Sequence, residues 1–420
     1  MYLSCTSKSP HLSDSKTRDE ASRSHRASVD ATINRGPRGQ VFVRGVERAA
    51  TLNRSGKDVL SLVLPYPQEM QFRSANSLSD PEQSEQALLR HIRSRAAQTS
   101  LSTVRLGIGD DCALLRPRSG EELAVTTDLS IAGRHFRLDW HSPESIGHRA
   151  LARGLSDLAA MGARPIAAFL SLGLPRELST APARRRTQPT QSSWIARFLD
   201  GLLALAAAYN TPLAGGDLSE SPIPIADIVL IGAVSRGKAL RRSTARPGHL
   251  LYVTGALGGA AAALARLQEL AAARPARRQP PRIPKKLEAQ LAPHLYPHPR
   301  VPQGLWLVRH GLASAALDLS DGLSTDLAHL CEESGVAAQV DAAALPIHPP
   351  ATLDQALNGG EDYELLFTAP PTARLPRTIG GVSITPIGRI LKSRPGRPAV
   401  TLLTPQGPQP LKPQGWEHFS

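Results

Sequence analysis

Residues 142–172 read SPESIGHRALARGLSDLAAMGARPIAAFLSL and predict a helix followed by a buried strand. The opening Ser-Pro pair is a strong helix start, because serine caps free amide groups and proline fits the first helical position. The helix is predicted to run to Met161, since Gly162 is typical of a residue just past a helix end. The apolar run 166–172 then has the composition of a buried strand. This unit indicates a sheet covered by helices.

Outward from this unit, strand and helix patterns alternate through most of the chain. A helix is predicted around 87–92 and another over 194–209, whereas 176–193 and 274–300 have the composition of loops. The remaining predicted elements are a helix at 323–333 and strands at 123–127, 212–214, 225–234, 250–254, 314–318 and 364–368. The fold class that we expect is α+β, with mixed α/β layers.

Composition divides the chain into three parts. Residues 1–80 are rich in Ser, Arg, Asn and Asp without sustained periodicity, so they are predicted to be disordered. A basic stretch with Pro and Gly at 241–248 marks a domain junction. We therefore expect an N-terminal domain over 82–240 and a C-terminal α/β domain over 247–420.

The charge of the chain first suggests a nucleic-acid partner, because the formal net charge is +13 over 420 residues. The basic excess lies in 1–80, 184–186 and 274–286, which are tail or loop segments. They lack the interleaved aromatic side chains on which bases stack. We therefore expect no nucleic-acid partner.

The three cysteines lie far apart and form no CxxC pair. A disulfide framework and a zinc site are both unexpected, which fits a reducing cytoplasm. No apolar run reaches the length of a membrane span, and the N-terminus has no apolar signal region. We expect a cytoplasmic protein without a membrane partner.

Aspartates recur among small residues near the ends of predicted elements. They stand in GIGDD (107–111), TTD (126–128), LSDL (155–158), GGD (215–217) and DLSDG (318–322). Each alone is more simply interpreted as turn chemistry or a helix cap. Five together favour a hard cation such as Mg²⁺, which takes oxygen ligands and usually bridges to phosphates. The pattern indicates phosphoryl transfer, which depends on positioning and charge neutralisation.

Asp157 shares one helical stripe with Ile146, Ala150 and Gly154. A carboxylate on an apolar stripe is expected to be paired or metal-bound, because burying a lone charge is costly. The glycine one turn earlier is expected to leave room for a ligand. A structural pairing of Asp157 with backbone or arginine stays open.

Two familiar nucleotide-binding signatures are missing from the sequence. It contains no GxxxxGK[ST] loop and no HRD/DFG set. A glycine-rich turn at 255–259 precedes a predicted helix and is a weak candidate for a phosphate contact.

The ordered set of motifs resembles the thiamine-monophosphate kinases, a family within the aminoimidazole-ribonucleotide synthetase-like ATP-binding superfamily. The resemblance extends over about residues 82–420, and the order of the motifs is more specific than any one of them. The matching stretches are GIGDDCALL (107–115), TTDLSIAGRHF (126–136), SDLAAMGARP (156–165), GGD (215–217), LYVTGALGG (251–259), DLSDGLSTDL (318–327), GGEDYELLF (359–367) and GWEHF (415–419).

The resemblance implies a two-domain fold in which the N-terminal domains of two subunits pair their sheets into a dimeric β-barrel. ATP and substrate would lie in the cleft between the domains. The implied reaction is ATP + thiamine phosphate → ADP + thiamine diphosphate, the last step of thiamine diphosphate biosynthesis. The phosphoryl group would pass directly in line, without a phospho-enzyme, so no covalent catalytic residue is expected.

The resemblance also implies site residues. The Mg²⁺ ligands would be Asp111, Thr126, Thr127, Asp128, Asp157, Asp217, Asp318 and Asp321. The ATP contacts would be Gly216, Asp217, Arg242 and Ser320. The thiamine phosphate contacts would be His135, Glu361 and Trp416. The Mg²⁺ cluster and Arg242 would stabilise the transfer, since an arginine is always charged.

Two other interpretations stay open. The chain could be another ATP-dependent synthetase of the same superfamily, although an aminoimidazole-ribonucleotide synthetase would lack GGEDYEL and the GWEHF end. It could instead be a non-catalytic scaffold that keeps the fold, which loss of the carboxylates would signal. None of them is lost.

Overall fold

The computed structural model describes residues 33–35, 41–43, 85–96, 103–179, 193–273 and 283–416. Strand β1 (Ile33–Arg35) pairs antiparallel with β2 (Val41–Val43). The rest of 1–80, for which disorder is predicted, lies outside the described residues. The last residues of the GWEHF motif, from 417 onward, also lie outside them.

A four-stranded sheet forms the first half of the compact region, after helix α1 (Glu85–Ala96) and short strands β3 (Val104–Leu106) and β4 (Leu114–Leu115). In chain order the elements that follow are β5 (Glu121–Ile131), α2 (Pro143–Ala160), β6 (Arg164–Leu174), α3 (Trp194–Ala208), β7 (Leu213–Glu220) and β8 (Ile225–Ser235). The strand order is β5–β8–β6–β7, and only β6 and β7 run parallel. Helix α2 packs against β5 and β8, and α3 packs against α2.

Helix α2 begins and ends where the sequence predicts. The Ser142 hydroxyl accepts a hydrogen bond from the amide of Ser145 at 3.2 Å, and a proline follows as the first helical residue. The helix ends at Ala160 with Met161 as its C-cap, followed by Gly162 at a positive φ of 63°. Local capping chemistry is sufficient to set both ends.

Gly154 also has a packing role. The apolar stripe of α2 is buried, but a Cβ on Gly154 would lie 2.7 Å from the Leu230 side chain. The glycine therefore lets α2 approach β8 closely. The Cβ position would also lie 3.5 Å from Asp128 Oδ2, and room for a ligand beside Gly154 stays a prediction.

An eight-stranded sheet forms the second half. Its elements in chain order are β9 (Leu250–Thr254), α4 (Gly259–Ala272), α5 (Lys285–Leu295), α6 (Val301–His310), β10 (Ala315–Asp318), α7 (Leu323–Ser334), β11 (Val336–Asp341), α8 (Leu353–Asn358), β12 (Leu365–Ala369), β13 (Thr378–Ile379), β14 (Val382–Lys392), β15 (Val400–Thr404) and β16 (Gly407–Pro410). The order is β10–β12–β9–β14–β11–β15–β16, with β13 paired to β14. Only β11 and β15 run parallel.

The prediction of a loop over 274–300 is wrong for its second part, which contains helix α5. Leucines spaced four apart, at 287, 291 and 295, bury one face of α5 against Ala263 and Leu267 of α4. The frequent Pro and Arg residues around these leucines make their helical spacing hard to recognise in the sequence. Residues 274–282 lie outside the described residues, and so do 180–192 of the other predicted loop.

The two sheets are joined by a shared core. A Cβ on Gly304 of α6 would lie 2.0 Å from the backbone oxygen of Ala159, so α6 and α2 are in close contact. Buried Leu158 and Phe367 belong to the same apolar cluster. The boundaries 82–240 and 247–420 stay a prediction. No helix in the described part of the chain is long and apolar enough to cross a membrane.

Candidate active site

Asp157 lies on the last turns of α2, beside the β5 strand. The hydroxyl of Thr126 donates a hydrogen bond to Asp157 Oδ2. Burial, together with the nearby carboxylates of Asp318 and Asp128, raises the pKa of Asp157 to about 8. The aspartate of the apolar stripe is thus paired with a hydroxyl, and it sits within a group of other carboxylates.

Asp318 ends strand β10 and reaches the same place from the second sheet. Its Oδ2 accepts a hydrogen bond from the hydroxyl of Ser156 at 2.7 Å. Burial raises the pKa of Asp318 to about 6, and the nearby Asp128 carboxylate adds to the shift. The predicted motifs SDLAAMG and DLSDG therefore meet through Ser156 and Asp318.

Asp128 of β5 is the third carboxylate. Its Oδ1 lies 3.5 Å from the Nε atom of Arg153. Its Oδ2 is buried and has no hydrogen-bond partner among the residues that the structure describes. Burial raises the pKa of Asp128 despite the nearby guanidinium. A buried carboxylate oxygen without a donor is costly, so a ligand at this atom would be stabilising.

Asp128, Asp157 and Asp318, which we call the carboxylate cluster, come from two strands and a helix. Burial raises the pKa of each, and the charge of Asp128 adds to the rise at Asp157 and Asp318, so the three carboxylates lie near one another. Carboxylate oxygens are the ligands that Mg²⁺ takes, and a cation would satisfy Asp128 Oδ2. The ligand atoms of the three do not all lie within 4.8 Å of one another, so a single shared ion would require the side chains to move closer.

A cavity of about 600 Å³ opens beside the carboxylate cluster, and we call it the first cavity. The aromatic side chains of Phe136, Trp140 and Tyr363 contribute to its walls. The predicted site residues that line it, besides the cluster, are His135, Ser320, Asp321, Glu361 and Trp416. The structure thus brings the predicted substrate contacts to the same cavity as four of the predicted metal ligands, Asp128, Asp157, Asp318 and Asp321.

Glu361 is held in this cavity by two side chains. Its Oε1 accepts a hydrogen bond from Arg149 Nη2 at 2.6 Å, and its Oε2 lies 3.1 Å from His294 Nδ1. Burial opposes ionisation, but Arg149 and His294 outweigh it and hold the pKa of Glu361 well below its usual range. Arg149 also donates to the backbone oxygen of His294 at 2.6 Å. Glu361 is therefore a fixed, ionised carboxylate.

The loop that carries Glu361 has an unusual backbone. Glu361 and Tyr363 have positive φ angles of 67° and 51°, a region that non-glycine residues adopt rarely. The amide of Glu361 donates to the backbone oxygen of Ser320 at 2.8 Å. A Cβ on Gly360 would lie 2.6 Å from that same oxygen, so only glycine permits this approach. The loop is thus fastened to the DLSDG turn.

The C-terminal segment is fastened to the same turn. The amide of Trp416 donates to the backbone oxygen of Asp321 at 3.1 Å. The Trp416 side chain is half exposed and lines the first cavity. This contact explains how a tryptophan near the chain end reaches a site formed by distant segments.

Asp321 also belongs to a second group of possible ligand atoms. Ligand atoms of Asp321, Asp326 and His329 lie within 4.8 Å of one another. Asp326, however, accepts hydrogen bonds from the amides of Asp321 and Gly322, at 3.1 and 3.0 Å, and so caps helix α7. Its position is explained by that structural role.

Asp111, Gly216 and Asp217 line a different cavity, of about 680 Å³, which we call the second cavity. It lies between α1, the GIGDD loop and the β6–β7 edge of the sheet. A Cβ on Gly216, whose φ is 146°, would lie 1.9 Å from the Leu170 backbone oxygen, so no other residue fits there. Both aspartates are exposed.

Asp217 and the carboxylate cluster are separated by the width of the sheet. Asp217 stands on edge strand β7 and Asp128 on the opposite edge strand β5. Neighbouring strands lie about 4.8 Å apart, so three spacings separate the two edges by roughly 14 Å. Within the described chain, the structure does not bring all the predicted Mg²⁺ ligands together.

The two predicted threonine ligands point to opposite faces of β5, as successive strand residues do. Thr126 bonds to Asp157 on the helix-covered face, whereas Thr127 Oγ1 donates to Asp227 Oδ1 at 2.9 Å on the exposed face. Arg242 begins a short 3₁₀ helix at 242–244 and is exposed. Its charge opposes the rise in the pKa values of Asp157 and Asp318, so it lies near the carboxylate cluster.

Sequence reasoning missed Arg149, Arg153 and His294. The first two share a face of α2 with Asp157, because positions 149, 153 and 157 are spaced four apart. A charged stripe of this spacing on an otherwise apolar helix was the available signal. His294 had no comparable signal, because it lies in the segment predicted to be a loop.

The fold and the site define a class. Residues 109–234 match the N-terminal domain of the AIR synthase related proteins, and residues 246–397 match their C-terminal domain. The expected two-domain fold of mixed α and β content is therefore confirmed.

Individual relatives narrow the class to a family. The chain is 38% identical over 335 residues to the thiamine-monophosphate kinase of Escherichia coli K12, a match that spans 77% of this chain and 94% of that protein. The crystal structure of thiamine-monophosphate kinase from Stenotrophomonas maltophilia K279a is 38% identical, with a TM-score of 0.62 over 76% of this chain and 96% of that one. The structure of AaThiL complexed with AMPPCP and TMP is 28% identical, with a TM-score of 0.58. That match covers 82% of this chain and 100% of AaThiL. The chain belongs to the thiamine-monophosphate kinase family.

Proposed function

We propose that this protein transfers the terminal phosphoryl group of ATP to thiamine phosphate and releases ADP and thiamine diphosphate. The observation that carries the proposal is the buried carboxylate cluster beside a cavity that also holds Glu361 and Trp416. Relatives 38% identical to this chain are thiamine-monophosphate kinases. AaThiL, a structural neighbour, is complexed with AMPPCP, which is an ATP analogue, and with TMP.

In this proposal the carboxylate cluster holds Mg²⁺, and Asp321, in the same cavity, contributes a further oxygen. The bound ion supplies charge neutralisation for the phosphates during in-line transfer. Thr126 orients Asp157 and Ser156 orients Asp318 through the hydrogen bonds they donate. Arg242, whose charge lowers the pKa values of both Asp157 and Asp318, adds positive charge beside them.

Aromatic side chains in the lining of the first cavity suit a flat organic cation. Phe136, Trp140 and Trp416 line this cavity, and the thiazolium ring of thiamine phosphate carries a positive charge. Glu361, fixed by Arg149 and His294, supplies a negative charge to the same cavity. The substrate would lie with its ring against these aromatic side chains and its phosphate toward the carboxylate cluster.

A second copy of the chain is part of the proposal. Leu123, Val125 and Leu129 on one face of β5 are 47%, 63% and 46% exposed, which is unusual for three large apolar residues on one strand face. Pairing of this face with its copy would cover them and form the barrel-like dimer. Thr127 and Asp217 lie on the same face, so a partner would also bring separated predicted ligands nearer to one another.

The dimer is tested by Val125→Lys, which places a charge at the centre of the exposed face. Sedimentation should change from dimer to monomer, because a buried unpaired charge opposes association. Leu391→Lys is the matched control, since Leu391 is a 36% exposed leucine on the other sheet. A wild-type monomer, or equal effects of both changes, would contradict the proposed interface.

The activity is tested on the full chain with ATP, MgCl₂ and one of three acceptors: thiamine phosphate, thiamine or an aminoimidazole precursor. Thiamine diphosphate should form from thiamine phosphate alone, and excess EDTA should stop the reaction. Turnover with only the aminoimidazole precursor would favour a synthetase of the same superfamily. A folded protein inactive with all three would favour the scaffold interpretation. We place the activity in the cytoplasm on the basis of the cysteine pattern.

A further inference from the structure

Arg153 is a cationic side chain in the first cavity for which neither the motifs nor the proposed function supplies a role. It lies on α2 one turn after Arg149 and one turn before Asp157. Its side chain is only 18% exposed, and it lines the cavity beside the carboxylate cluster. A largely buried guanidinium is costly to desolvate, so its position calls for an explanation.

The neighbouring Arg149 shows what a structural arginine looks like in this protein. Arg149 is 6% exposed, and its donors are used by Glu361, by the backbone of His294 and by the backbone of His135. Arg153, by contrast, has one ion pair among the described residues, a long contact of 3.5 Å to Asp128. A guanidinium has five donor hydrogens, so most of those on Arg153 are not used by the residues that the structure describes.

The other arginines that line the cavity are less suited to a buried anion. Arg137 is 51% exposed, and both Oδ atoms of Asp139 accept from its guanidinium at 3.0 and 2.8 Å. Arg134 is exposed at the rim. Arg153 is therefore the cation that combines burial, unused donors and contact with the carboxylate cluster.

We propose that Arg153 binds the phosphate group of thiamine phosphate through two parallel N–H···O bonds and so selects the phosphorylated substrate over thiamine. The inference rests on the proposed function and deepens it. A planar guanidinium matches two phosphate oxygens, and such charge-assisted pairs are stronger than neutral hydrogen bonds. Asp128 keeps the guanidinium at the cluster, where the acceptor phosphate must meet the phosphoryl group that ATP donates.

Position within the cavity favours the acceptor phosphate over the phosphates of ATP. Arg153 lines the same cavity as Glu361 and Tyr363, and it contacts Asp128 of the carboxylate cluster at 3.5 Å. Tyr363, Asp128 and Glu361 all raise the pKa of Arg153 against the effect of burial, so its charge acts both on the residue assigned to the substrate and on the cluster assigned to transfer. The phosphate of thiamine phosphate must be near both.

The test measures binding without turnover, by calorimetry on the full chain with MgCl₂ and no ATP. Dissociation constants for thiamine phosphate and for thiamine are compared in wild type, Arg153→Met and Arg153→Lys. The Met variant should bind thiamine phosphate about 30-fold more weakly, which equals about 2 kcal/mol. Its affinity for thiamine should change less than about threefold, because thiamine has no phosphate for Arg153 to bind. The Lys variant should recover part of the loss, since it keeps the charge without the planar fork.

Steady-state kinetics supply a second readout and a control. The KM for thiamine phosphate should rise in Arg153→Met, whereas the KM for ATP should stay within about threefold of wild type. Arg134→Met removes an exposed arginine of the same cavity and should leave the preference for thiamine phosphate over thiamine intact. If Arg134→Met lowers that preference as much as Arg153→Met does, the preference comes from the overall positive charge of the cavity and not from a specific contact with Arg153.

Several outcomes would overturn the inference. Equal weakening of thiamine and thiamine phosphate in Arg153→Met would mean that Arg153 only supports the cavity. An effect confined to ATP would assign it to the nucleotide instead. If Arg153→Met does not fold, unchanged selectivity in Arg153→Lys rejects the bidentate contact. A wild-type protein that binds no thiamine phosphate would reject the proposed function itself, and this inference with it.

Discussion

The two cavities contain the same kind of residue in opposite settings. In the first cavity, Asp157 and Asp318 each accept a hydrogen bond from a hydroxyl group, and burial and neighbouring carboxylates raise their pKa values to about 8 and about 6. In the second cavity, Asp111 and Asp217 are exposed, and the backbone around them is shaped by a glycine that no other residue can replace. The first cavity is therefore characterised by interacting carboxylates, and the second by a backbone path that requires glycine.

This difference indicates where charge changes will have their largest effect. A buried group of like charges stores unfavourable free energy that a cation or a proton can release. Exposed carboxylates store little, because water and salt screen them. Removing one charge should therefore change the first cavity far more than the second.

The largest effect is expected for Asp157→Asn. The amide keeps the acceptor for the Thr126 hydroxyl and removes one of the repelling charges, so the fold should be retained or slightly stabilised. Turnover should fall by at least about a hundredfold, or about 2.8 kcal/mol of barrier, because Mg²⁺ would lose an anionic ligand. Melting temperature and turnover are measured on the same preparation.

Asp362→Asn is the matched control for stability. Both oxygens of Asp362 accept backbone amides, from Gly258 at 2.6 Å and Ala260 at 3.1 Å, at the N-terminus of α4. An amide offers only one oxygen, so this variant should lose about 1–2 kcal/mol of stability. A marked fall in melting temperature of Asp157→Asn, with near-normal turnover, would show that Asp157 is structural.

The next effect is a pH dependence of stability in protein freed of metal with EDTA. Asp157 has a folded pKa of about 8 and an ordinary value of about 3.9 when unfolded, so the folded state holds a proton that the unfolded state releases. This stabilisation is present at low pH and is lost as pH rises through 8. Between pH 6.5 and 8 the contribution of Asp157 to the free energy of unfolding should fall by roughly 1.5 kcal/mol.

The groups around Asp157 set the window for this measurement. Asp318 and Asp128 repel its charge, whereas Arg242 and the Thr126 hydroxyl favour it. Below pH 6.5 buried histidines act with the opposite sign, because burial lowers the pKa of His141 to about 3 and of His148 to about 4. Denaturant unfolding of wild type and Asp157→Asn isolates the contribution of the Asp157 proton to stability, since the variant should lack it. Parallel curves of unfolding free energy against pH for the two proteins from pH 6.5 to 8 would exclude this contribution.

Local chemistry made parts of the fold predictable. Helix α2 was predicted at both ends because its caps, Ser142 and Gly162, act on adjacent backbone groups. Strand β14 was missed because a register shift at Pro386 and Gly388 interrupts the alternation of buried and exposed residues that identifies a strand. Helix α5 was missed for a similar reason, since its proline-rich surroundings concealed three regularly spaced leucines.

The sequence predicts which residues are candidates for the site, but not which of them lie together. The motifs contain the carboxylates, and Asp128, Asp157 and Asp318 do lie in one cavity. The order of strands in a sheet, however, cannot be predicted from any one motif. The parallel pairing of β7 to the far edge therefore separates Asp217 from Asp128 in a way that local sequence could not indicate. Arg153 was missed because a charge on a helix is most often solvated, and only tertiary packing shows that this one is not.

The smallest effect is expected for Asp217→Asn in the second cavity. Asp217 is exposed, so its replacement should leave the melting temperature unchanged. If Asp217 meets the nucleotide or its cation across the proposed dimer, turnover should fall about tenfold, or about 1.4 kcal/mol, mainly as a higher KM for ATP.

Glu220→Gln is the matched control, because Glu220 is an exposed carboxylate on the same strand outside the cavity, and it should have no effect. A loss as large as that of Asp157→Asn would mean that both carboxylates act on one ion. The contrast drawn between the first and the second cavity would then be wrong. No loss at all would remove Asp217 from the active site and leave the second cavity without a part in the reaction.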